Sequence, residues 1–216
     1  MANEATSADP SNPAGPDAPL PGVGPWEGAV PEGSHWDPEL LAEGDRRNVE
    51  DRYRYWSREA VREDIARRSR GYEVAIENLG HDFNIGSIVR TANGLGADRV
   101  HIVGRRRWNR RGAMVTDRYM DVRRHESAGD FAADAAARGR VLVGIDNLEG
   151  SSPLEIAQLP ENATLVFGEE GPGLSAEMLA HCDQVLHITQ HGSTRSLNVG
   201  HAAAIAMWAW LQQHPA

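Results

Sequence analysis

The sequence has no lysine and a single cysteine, Cys182, among its 216 residues. One cysteine excludes an intrachain disulfide and a structural metal site made of several thiolates. No apolar run approaches the roughly 20 residues that span a bilayer, and the first 19 residues lack the basic start and apolar stretch of a secretory signal. We therefore expect a cytoplasmic protein with no membrane contact.

Positive charge is also scarce, and the formal net charge is −9. This balance argues against nucleic-acid binding, because phosphate contacts need a positive surface. Much of the acid nevertheless lies within the first 45 residues, where it can be remote from a binding face. All 22 basic side chains are arginine, whose planar donors suit phosphates and base stacking, although a GC-rich genome would produce the same bias.

Composition divides the chain into three parts. Residues 1–36 are rich in Pro, Gly, Ala and Ser and predict a disordered, acidic leader. Residues 37–70 mix Arg and Glu with spaced apolar side chains and predict a charged extension of one or two amphipathic helices. Residues 71–216 are long enough for one well-packed domain.

Beyond Gly71, short apolar runs alternate with helical patterns, which is typical of strands linked by crossover helices. The predicted strands are 72–77, 99–103, 141–145, 164–167 and 184–188. The predicted helices are 85–95, 128–138, 175–181 and 197–213. This order predicts an α/β fold, with a mostly parallel sheet covered by helices on both faces.

Ligands of such sheets bind beyond the carboxyl ends of the strands, and three segments there carry unusual polar residues. In the first segment, Asn84 precedes a predicted helix whose polar face holds Arg90. Asn84 also fits a helix N-cap, which is a purely structural alternative. A second segment, 165–175, combines several glycines with two adjacent glutamates, and its Ser175 can cap the next helix.

The third segment, 188–200, is a polar loop that enters the last predicted helix. That helix is apolar on nearly every face from Ala202 to Trp210. An apolar helix of this kind needs cover on more than one side. We therefore expect it to be buried partly in the domain and partly in a subunit interface.

In this order and spacing, the three segments resemble the motifs of the SpoU or TrmH-like family, which are RNA ribose methyltransferases of the SPOUT superfamily. The matching stretches are N-x-x-x-x-x-R-T-A at 84–92, residues 165–174, and 188–200, which ends S-L-N-V-G. The resemblance covers about residues 72–213. It implies a C-terminal trefoil knot, which is rare among folds, and a homodimer. It also implies transfer of a methyl group from S-adenosylmethionine to a ribose 2′-hydroxyl of tRNA or rRNA.

The resemblance assigns roles to particular residues. The implied cofactor-binding positions are Gly168, Ile188 and Leu197, and the implied catalytic positions are Asn84, Arg90, Glu170, Ser196 and Asn198. A guanidinium keeps its proton below about pH 12. We therefore expect Arg90 to hold a phosphate and stabilise developing negative charge on oxygen, with a base role left open. Asn84 and Glu170 would position Arg90 and the ribose, Ser196 and Asn198 would order the cofactor loop, and no metal is required.

A basic loop lies outside these motifs, directly after the second predicted strand. It contains Arg105, Arg106, Arg107, Trp108, Arg110 and Arg111. Arginine planes and an indole can hold phosphates and stack unpaired bases, so we predict that this loop binds RNA. A solvated basic loop is the competing interpretation, and no separate RNA-binding domain is obvious before the catalytic unit.

Other functions are alternatives to this prediction. The chain could be a non-catalytic RNA-binding protein that keeps the SPOUT fold, or a SPOUT methyltransferase that modifies a base. A serine hydrolase built on Ser193 or Ser196 with His191 lacks the G-x-S-x-G elbow. A dinucleotide-dependent dehydrogenase lacks a proper glycine fingerprint.

Overall fold

The computed structural model describes residues 22–78, 84–104, 107–169 and 171–215, without the side chain of Arg111. The chain forms two compact units, one ending at Ser57 and the other beginning at Arg58. We expected boundaries between residues 36 and 37 and between residues 70 and 71, and the division in the structure lies between these two positions.

The first unit contains a buried carboxylate. Helix α1 (Pro38–Glu43) is capped at its N-terminus by Asp37, whose side chain accepts hydrogen bonds from two amides of the first turn. After α1, the fully buried Asp45 accepts hydrogen bonds from the Arg47 guanidinium at 2.7 and 2.9 Å and from the Tyr55 amide at 3.0 Å. Burial would raise the pKa of Asp45, but these hydrogen bonds outweigh burial and lower it. The ionised Asp45 side chain therefore links Arg47 to the backbone of Tyr55.

Part of the segment expected to be a disordered leader belongs to this unit. The Trp26 ring packs edge-on against Tyr55, with 5.5 Å between ring centroids, and lies 6.1 Å from Trp36. Val23 pairs with Asp45 in a short antiparallel bridge. Residues 22–36 thus have a defined structure, because aromatic contacts bury ring area that offsets the weak propensity of a Pro- and Gly-rich sequence. The rest of the predicted leader, residues 1–21, lies outside the described residues.

The second unit alternates helices and strands. Its helices are α2 (Arg58–Arg67), α3 (Ile85–Gly94), α4 (Ala128–Ala137), α5 (Ala176–Leu179) and α6 (Val199–Gln213). Its strands are β1 (Glu73–Glu77), β2 (Arg99–Val103), β3 (Asp121–His125), β4 (Val141–Ile145), β5 (Ser152–Pro153), β6 (Ala163–Phe167) and β7 (Gln184–His187). Every helix and strand predicted beyond residue 71 is present, with bounds that differ by at most two residues.

All these strands form one seven-stranded sheet in the order β3-β2-β1-β6-β4-β7-β5. Every pairing in it is parallel, which confirms the predicted sheet. The two edge strands were not predicted. Strand β3 has no apolar run and forms through its pairing with β2, where Arg99 and Asp121 make a 2.7 Å ion pair. Strand β5 has only two residues, which is too short to leave a pattern.

Helices cover both faces of the sheet. Val74 and Ile76 of β1 pack in a core with α3 and α6, whereas the alternate residue Ala75 packs with α4 and α5. Strands β1 and β6 are buried throughout, as expected for strands covered on both sides. No helix among the described residues is both long and apolar enough to cross a membrane.

Ionised side chains are buried where α4 covers the first strands. The carboxylate of Glu73, 2% exposed, accepts hydrogen bonds from Arg140 at 2.9 Å and from Arg138. It also lies 3.0 Å from His101 Nε2. Burial would raise the pKa of Glu73, but its basic partners lower it to about 2. Glu73 is therefore a buried anion at neutral pH.

We expect Glu73→Gln to lower the free energy of unfolding by about 2–3 kcal/mol at neutral pH, because its partly buried arginine partners lose a charged acceptor. The pKa of Glu73 falls from 4.5 to about 2 on folding, so its ionisation stabilises the native state above pH 4.5. This contribution disappears as the pH falls through about 2. Urea unfolding at a series of pH values between 4.5 and about 2 should show that wild type and Glu73→Gln become more similar in free energy of unfolding as the pH falls. The exposed control Glu149→Gln should change little, and equal stability of Glu73→Gln and wild type at neutral pH would contradict the assignment.

Candidate active site

A cleft of about 270 Å³ opens at the carboxyl ends of β4, β6 and β7. It is lined by residues that directly follow these strands, namely Asp146, Asn147, Gly168, Glu169 and Ile188. The other lining residues are Ile145, Gly171, Gly173, Gln190, Ser196, Leu197, Asn198, Val199 and Ala202. This is the edge of the sheet where parallel α/β folds bind their ligands.

The glycine-rich loop after β6 folds back on itself. Glu169 and Gly173 exchange backbone hydrogen bonds at 3.1 and 3.0 Å. A Cβ atom on Gly168 would lie 2.1 Å from the carbonyl carbon of Gly173, so only glycine fits at position 168. Gly173 has a φ of +78°, a conformation that side chains rarely adopt. Gly168 is therefore required by the close approach of two backbone segments, and Gly173 is favoured by its backbone conformation.

Two carboxylates hold the far end of this loop. Glu77, at the end of β1 and 3% exposed, accepts hydrogen bonds from the Ser175 amide at 2.8 Å and the Ser175 hydroxyl at 2.7 Å. Asp146 accepts a hydrogen bond from the Leu174 amide at 2.8 Å. Ser175 Oγ also accepts a bond from the Met178 amide at 3.1 Å, which confirms the predicted cap of α5.

The loop after β7 is held from two sides. Glu155 accepts hydrogen bonds from the Thr189 amide at 2.8 Å and the Thr189 hydroxyl at 3.1 Å. The Asn147 side chain donates to the Arg195 carbonyl at 3.2 Å. Burial would raise the pKa of Glu155, but its hydrogen bonds, including those from Thr189, lower it. An ionised carboxylate therefore anchors the start of this loop beside the cleft.

One hydrogen bond joins the first and third segments identified in the sequence. The Asn198 side-chain amide donates to the Asn84 side-chain oxygen at 3.1 Å, across 114 residues of chain. Asn198 also caps α6, because its oxygen accepts bonds from the Gly200 and His201 amides at 2.9 and 3.3 Å. Asn84 precedes α3, but its side chain makes no capping hydrogen bond. The structural alternative of an Asn84 cap is therefore wrong, because the side-chain oxygen meets a tertiary partner instead.

The polar face of α3 extends from this contact. Ser87 Oγ donates to the Asn84 carbonyl at 2.7 Å. A Cβ on Gly200 would lie 3.2 Å from Ser87 Oγ, so Ser87 is next to the start of α6. Arg90 lies one helical turn beyond Ser87 on the same face and is exposed. It is not among the residues that line the cleft.

Comparison with known sequences accounts for this arrangement. The sequence model of the SpoU rRNA Methylase family matches residues 71–208. The chain belongs to this family. The matched region contains all seven strands and both asparagines of the 3.1 Å hydrogen bond.

Individual proteins are similar to more than half of this chain. The tRNA (guanosine(18)-2′-O)-methyltransferase of Escherichia coli strain K12 is 27% identical over 149 residues, which cover 68% of this chain and 65% of the relative. An uncharacterized tRNA/rRNA methyltransferase of Mycobacterium avium is 32% identical, covering 62% of this chain and 45% of the relative. The structure of the SpoU methyltransferase AviRb from Streptomyces viridochromogenes, in complex with the cofactor AdoMet, has a TM-score of 0.62 and 27% identity, over 68% of this chain and 58% of that one. The chain thus spans less than two thirds of the length of each of these proteins.

Most residues of the predicted SpoU-family site meet in the structure. Those that line the cleft are Gly168, Ile188, Ser196, Leu197 and Asn198. Asn84 adjoins them through its hydrogen bond to Asn198. Arg90 lies outside the lining and is exposed. Glu170 falls outside the described residues.

The basic loop of this SpoU-family chain is described only in part. The groups outside the described residues are Arg105, Arg106 and the side chain of Arg111. Arg107 is exposed, whereas Trp108 is partly buried against the core. The Arg110 guanidinium lies 5.9 Å from the centre of the Trp108 ring and 3.7 Å from Asp117. The indole is thus engaged in packing, and Arg107 and Arg110 are the more accessible of the described side chains.

Several residues that shape the cleft were not identified from the sequence. Asp146 and Asn147 directly follow a predicted strand, so inspecting the end of every strand would have found them. Glu77 is a charged residue at the end of a buried strand, which is an equally readable signal. Nothing in the sequence marks Glu155, which only the folded loop brings to Thr189.

Substitutions of Asn198 should separate its two hydrogen-bonding roles. Asn198→Ala removes both the cap of α6 and the bond to Asn84, and should lower the free energy of unfolding by about 1–2 kcal/mol. Asn198→Ser keeps a capping oxygen but loses the donor to Asn84, so it should lose about half as much. Urea denaturation followed by circular dichroism measures both variants. Equal losses would show that the cap contributes nothing.

Proposed function

We propose that the protein is an S-adenosylmethionine-dependent RNA methyltransferase that modifies a ribose 2′-hydroxyl of tRNA or rRNA. The observation that carries this proposal is the meeting of three family segments at one cleft, where the side chains of Asn84 and Asn198 are 3.1 Å apart. Family membership and the activities of the similar proteins support it. A cytoplasmic location accords with these substrates.

The residues of the cleft fit S-adenosylmethionine in size and charge. The volume of about 270 Å³ is close to the lower end for small-ligand pockets. The ionisable side chains that line its described part, Asp146 and Glu169, are both acidic, which suits a ligand with a positive sulfonium. Gly168, Ile188 and Leu197 would hold this cofactor, largely through backbone groups that glycine leaves accessible. When bound, it supplies an electrophilic methyl group.

The chain's own residues align and activate the ribose. The transfer breaks a carbon–sulfur bond, forms a carbon–oxygen bond and releases the hydroxyl proton to solvent, so the two substrates must be held in line. Asn84 links α3 to the cleft through Asn198, and Ser196 lies beside them in the loop. Arg90 holds the adjacent phosphate and stabilises negative charge that develops on the oxygen, while Glu170 positions Arg90 and the ribose.

A trefoil knot in the chain around the cleft belongs to the same proposal. The loops after β6 and β7 and the start of α6 would form it, since their residues line one cleft. The contacts of Asn147 with Arg195 and of Glu155 with Thr189 hold the last loop against earlier parts of the chain. The fold likeness to the AdoMet-bound AviRb supports it further.

The enzyme also acts as a homodimer through α6. Ile205 and Trp208 lie one helical turn apart and are 42% and 56% exposed. Ala203, Ala206 and Met207 of the same helix are buried in the domain. An exposed pair of large apolar side chains on a helix whose opposite side is buried is the kind of patch that subunit association covers.

Cofactor binding is tested at Gly168. Gly168→Ala should weaken the affinity for S-adenosylmethionine at least about tenfold, which is about 1.4 kcal/mol, because the new Cβ would lie 2.1 Å from Gly173 and force the loop open. Gly192→Ala is the matched control, since a Cβ there meets nothing within 4 Å. Calorimetry measures both variants. Equal binding by the two would remove the proposed pocket.

Catalysis is tested at Arg90. Arg90→Ala should slow methyl transfer by about 10²–10³-fold while leaving cofactor affinity intact, because Arg90 is not a lining residue of the cleft. Single-turnover transfer of labelled methyl to total tRNA or rRNA, followed by mapping of the modified nucleotide, measures this, with the exposed Arg62→Ala as control. A methyl group on a base would indicate a base-modifying enzyme, and no transfer to any RNA would indicate a non-catalytic binder. Normal transfer by Arg90→Ala would overturn its assigned role.

RNA binding is tested separately, at the basic loop. Arg106→Ala combined with Arg107→Ala should weaken RNA affinity and flatten its salt dependence, because each lost phosphate contact lowers the slope by about one. The single-turnover rate of methyl transfer by this double variant at saturating RNA should equal that of the wild type. Unchanged affinity and slope would make the loop an ordinary solvated surface.

Dimerisation is tested at Trp208. Trp208→Glu places a charge in the proposed interface and should convert the protein to a monomer at micromolar concentration, as measured by light scattering. Gln212→Glu adds the same charge at another exposed position of α6 and should leave the dimer intact. A wild-type protein that is strictly monomeric would contradict the interface.

A further inference from the structure

Two histidines and an aspartate meet where α4 packs on β2 and β3. His101 Nδ1 lies 2.8 Å from His125 Nε2. One ligand atom from each of His101, His125 and Asp134 lies within 4.8 Å of the other two. His101 is fully buried, His125 is half-buried, and the Asp134 side chain is 41% exposed. In this cluster, His101 is therefore shielded from solvent, whereas solvent can reach Asp134.

The buried histidine is oriented by a carboxylate. His101 Nε2 lies 3.0 Å from Oε2 of Glu73, which is itself 2% exposed. Nε2 of His101 thus faces the Glu73 carboxylate, and the other ring nitrogen, Nδ1, faces His125. A histidine that donates one ring N–H to a carboxylate and presents its other nitrogen is the usual form of a metal-binding histidine.

His125 and Asp134 can supply two more ligand atoms. His125 is half-buried, and its Nε2 atom faces Nδ1 of His101. Asp134 accepts two hydrogen bonds from Arg138, at 2.8 and 3.1 Å, and both fall on Oδ2. Its Oδ1 atom can therefore turn to an ion while Oδ2 keeps the Arg138 contact.

We propose that His101, His125 and Asp134 form a binding site for a divalent transition metal, with zinc as the best fit. Two imidazole nitrogens and a carboxylate oxygen are preferred zinc ligands, and a water would complete a tetrahedral shell. At zinc–nitrogen distances of about 2.0–2.1 Å, two tetrahedral ligands lie roughly 3.3 Å apart. The two histidine nitrogens, now 2.8 Å apart, need to separate by only about 0.5 Å to reach this distance.

The surrounding charges accommodate a divalent ion. Glu73 and Asp134 face Arg138 and Arg140 in a set of ion pairs. Asp98 lies 3.2 Å from Arg140 and adds a third carboxylate. This set of ion pairs therefore contains three carboxylates and two guanidiniums, so its acidic groups outnumber its arginines by one.

The site is structural and separate from methyl transfer. Strands β2 and β3 lie at the opposite end of the sheet from β4 and β7, which border the cleft. A metal there would join β2, β3 and α4, and so fix the polar edge strand β3 in place. The proposal does not rest on the methyltransferase activity.

Zinc binding is the direct test. Tag-free protein, stripped with a chelator, is titrated with Zn²⁺ by calorimetry and with Co²⁺ by absorption spectroscopy. We expect one strong site per chain, a cobalt spectrum typical of tetrahedral coordination, and a rise in Tm with Zn²⁺. His125→Gln and Asp134→Asn should each weaken Zn²⁺ binding at least about tenfold. Both side chains are partly exposed, so the variants should fold, and circular dichroism checks this.

Matched controls distinguish this site from casual histidine binding. His181→Gln and Asp51→Asn change exposed residues of the same types outside the cluster and should bind Zn²⁺ as the wild type does. The proposal is overturned if no saturable site is found, if His125→Gln binds normally, or if the controls lose as much affinity. His101 and His125 would then be a hydrogen-bonded pair that shares one proton.

Discussion

The whole site depends on the position of β6 between β1 and β4 in an all-parallel sheet. Parallel pairing places the carboxyl ends of these strands, and of β7, on one edge, so loops that are distant in sequence must meet there. The 3.1 Å hydrogen bond between Asn84 and Asn198 is the direct result. A different strand order would leave the same motif residues on separate parts of the molecule.

Acidic side chains hold the loops together at this edge of the sheet, because they accept hydrogen bonds from backbone amides of the loops. Glycine-rich loops carry many backbone N–H groups, and each needs an acceptor when water is excluded. Glu77 and Asp146 are such acceptors beside the cleft, and the exposed Glu155 accepts hydrogen bonds from Thr189. Asp45 and Glu73 are buried elsewhere with arginine partners. The formal net charge therefore counts buried, paired side chains together with those on the surface. Net charge for this reason says little about the surface that RNA would contact.

Short apolar runs were enough to locate the central strands, because a strand that is covered on both faces consists almost entirely of apolar residues. The predicted strands 99–103 and 141–145 coincide with those observed. The edge strand β3 escaped prediction because its stability comes from pairing with β2 and from the Arg99–Asp121 ion pair. Residues 22–36 escaped similarly, since the contact between Trp26 and Tyr55 joins residues far apart in a sequence of weak propensity.

By itself, the sequence determined the local chemistry of this protein: which loops are rich in glycine, which helix faces are polar, and that Gly168, Ile188 and Asn198 belong to one family pattern. Only the tertiary structure decided that the oxygen of Asn84 meets Asn198 rather than the amides of its own helix. It also decided that Arg90 stands outside the lining of the cleft. Propensity and periodicity act over a few residues. The partner of a polar side chain instead depends on which strands become neighbours, and spacing along the chain does not specify that order.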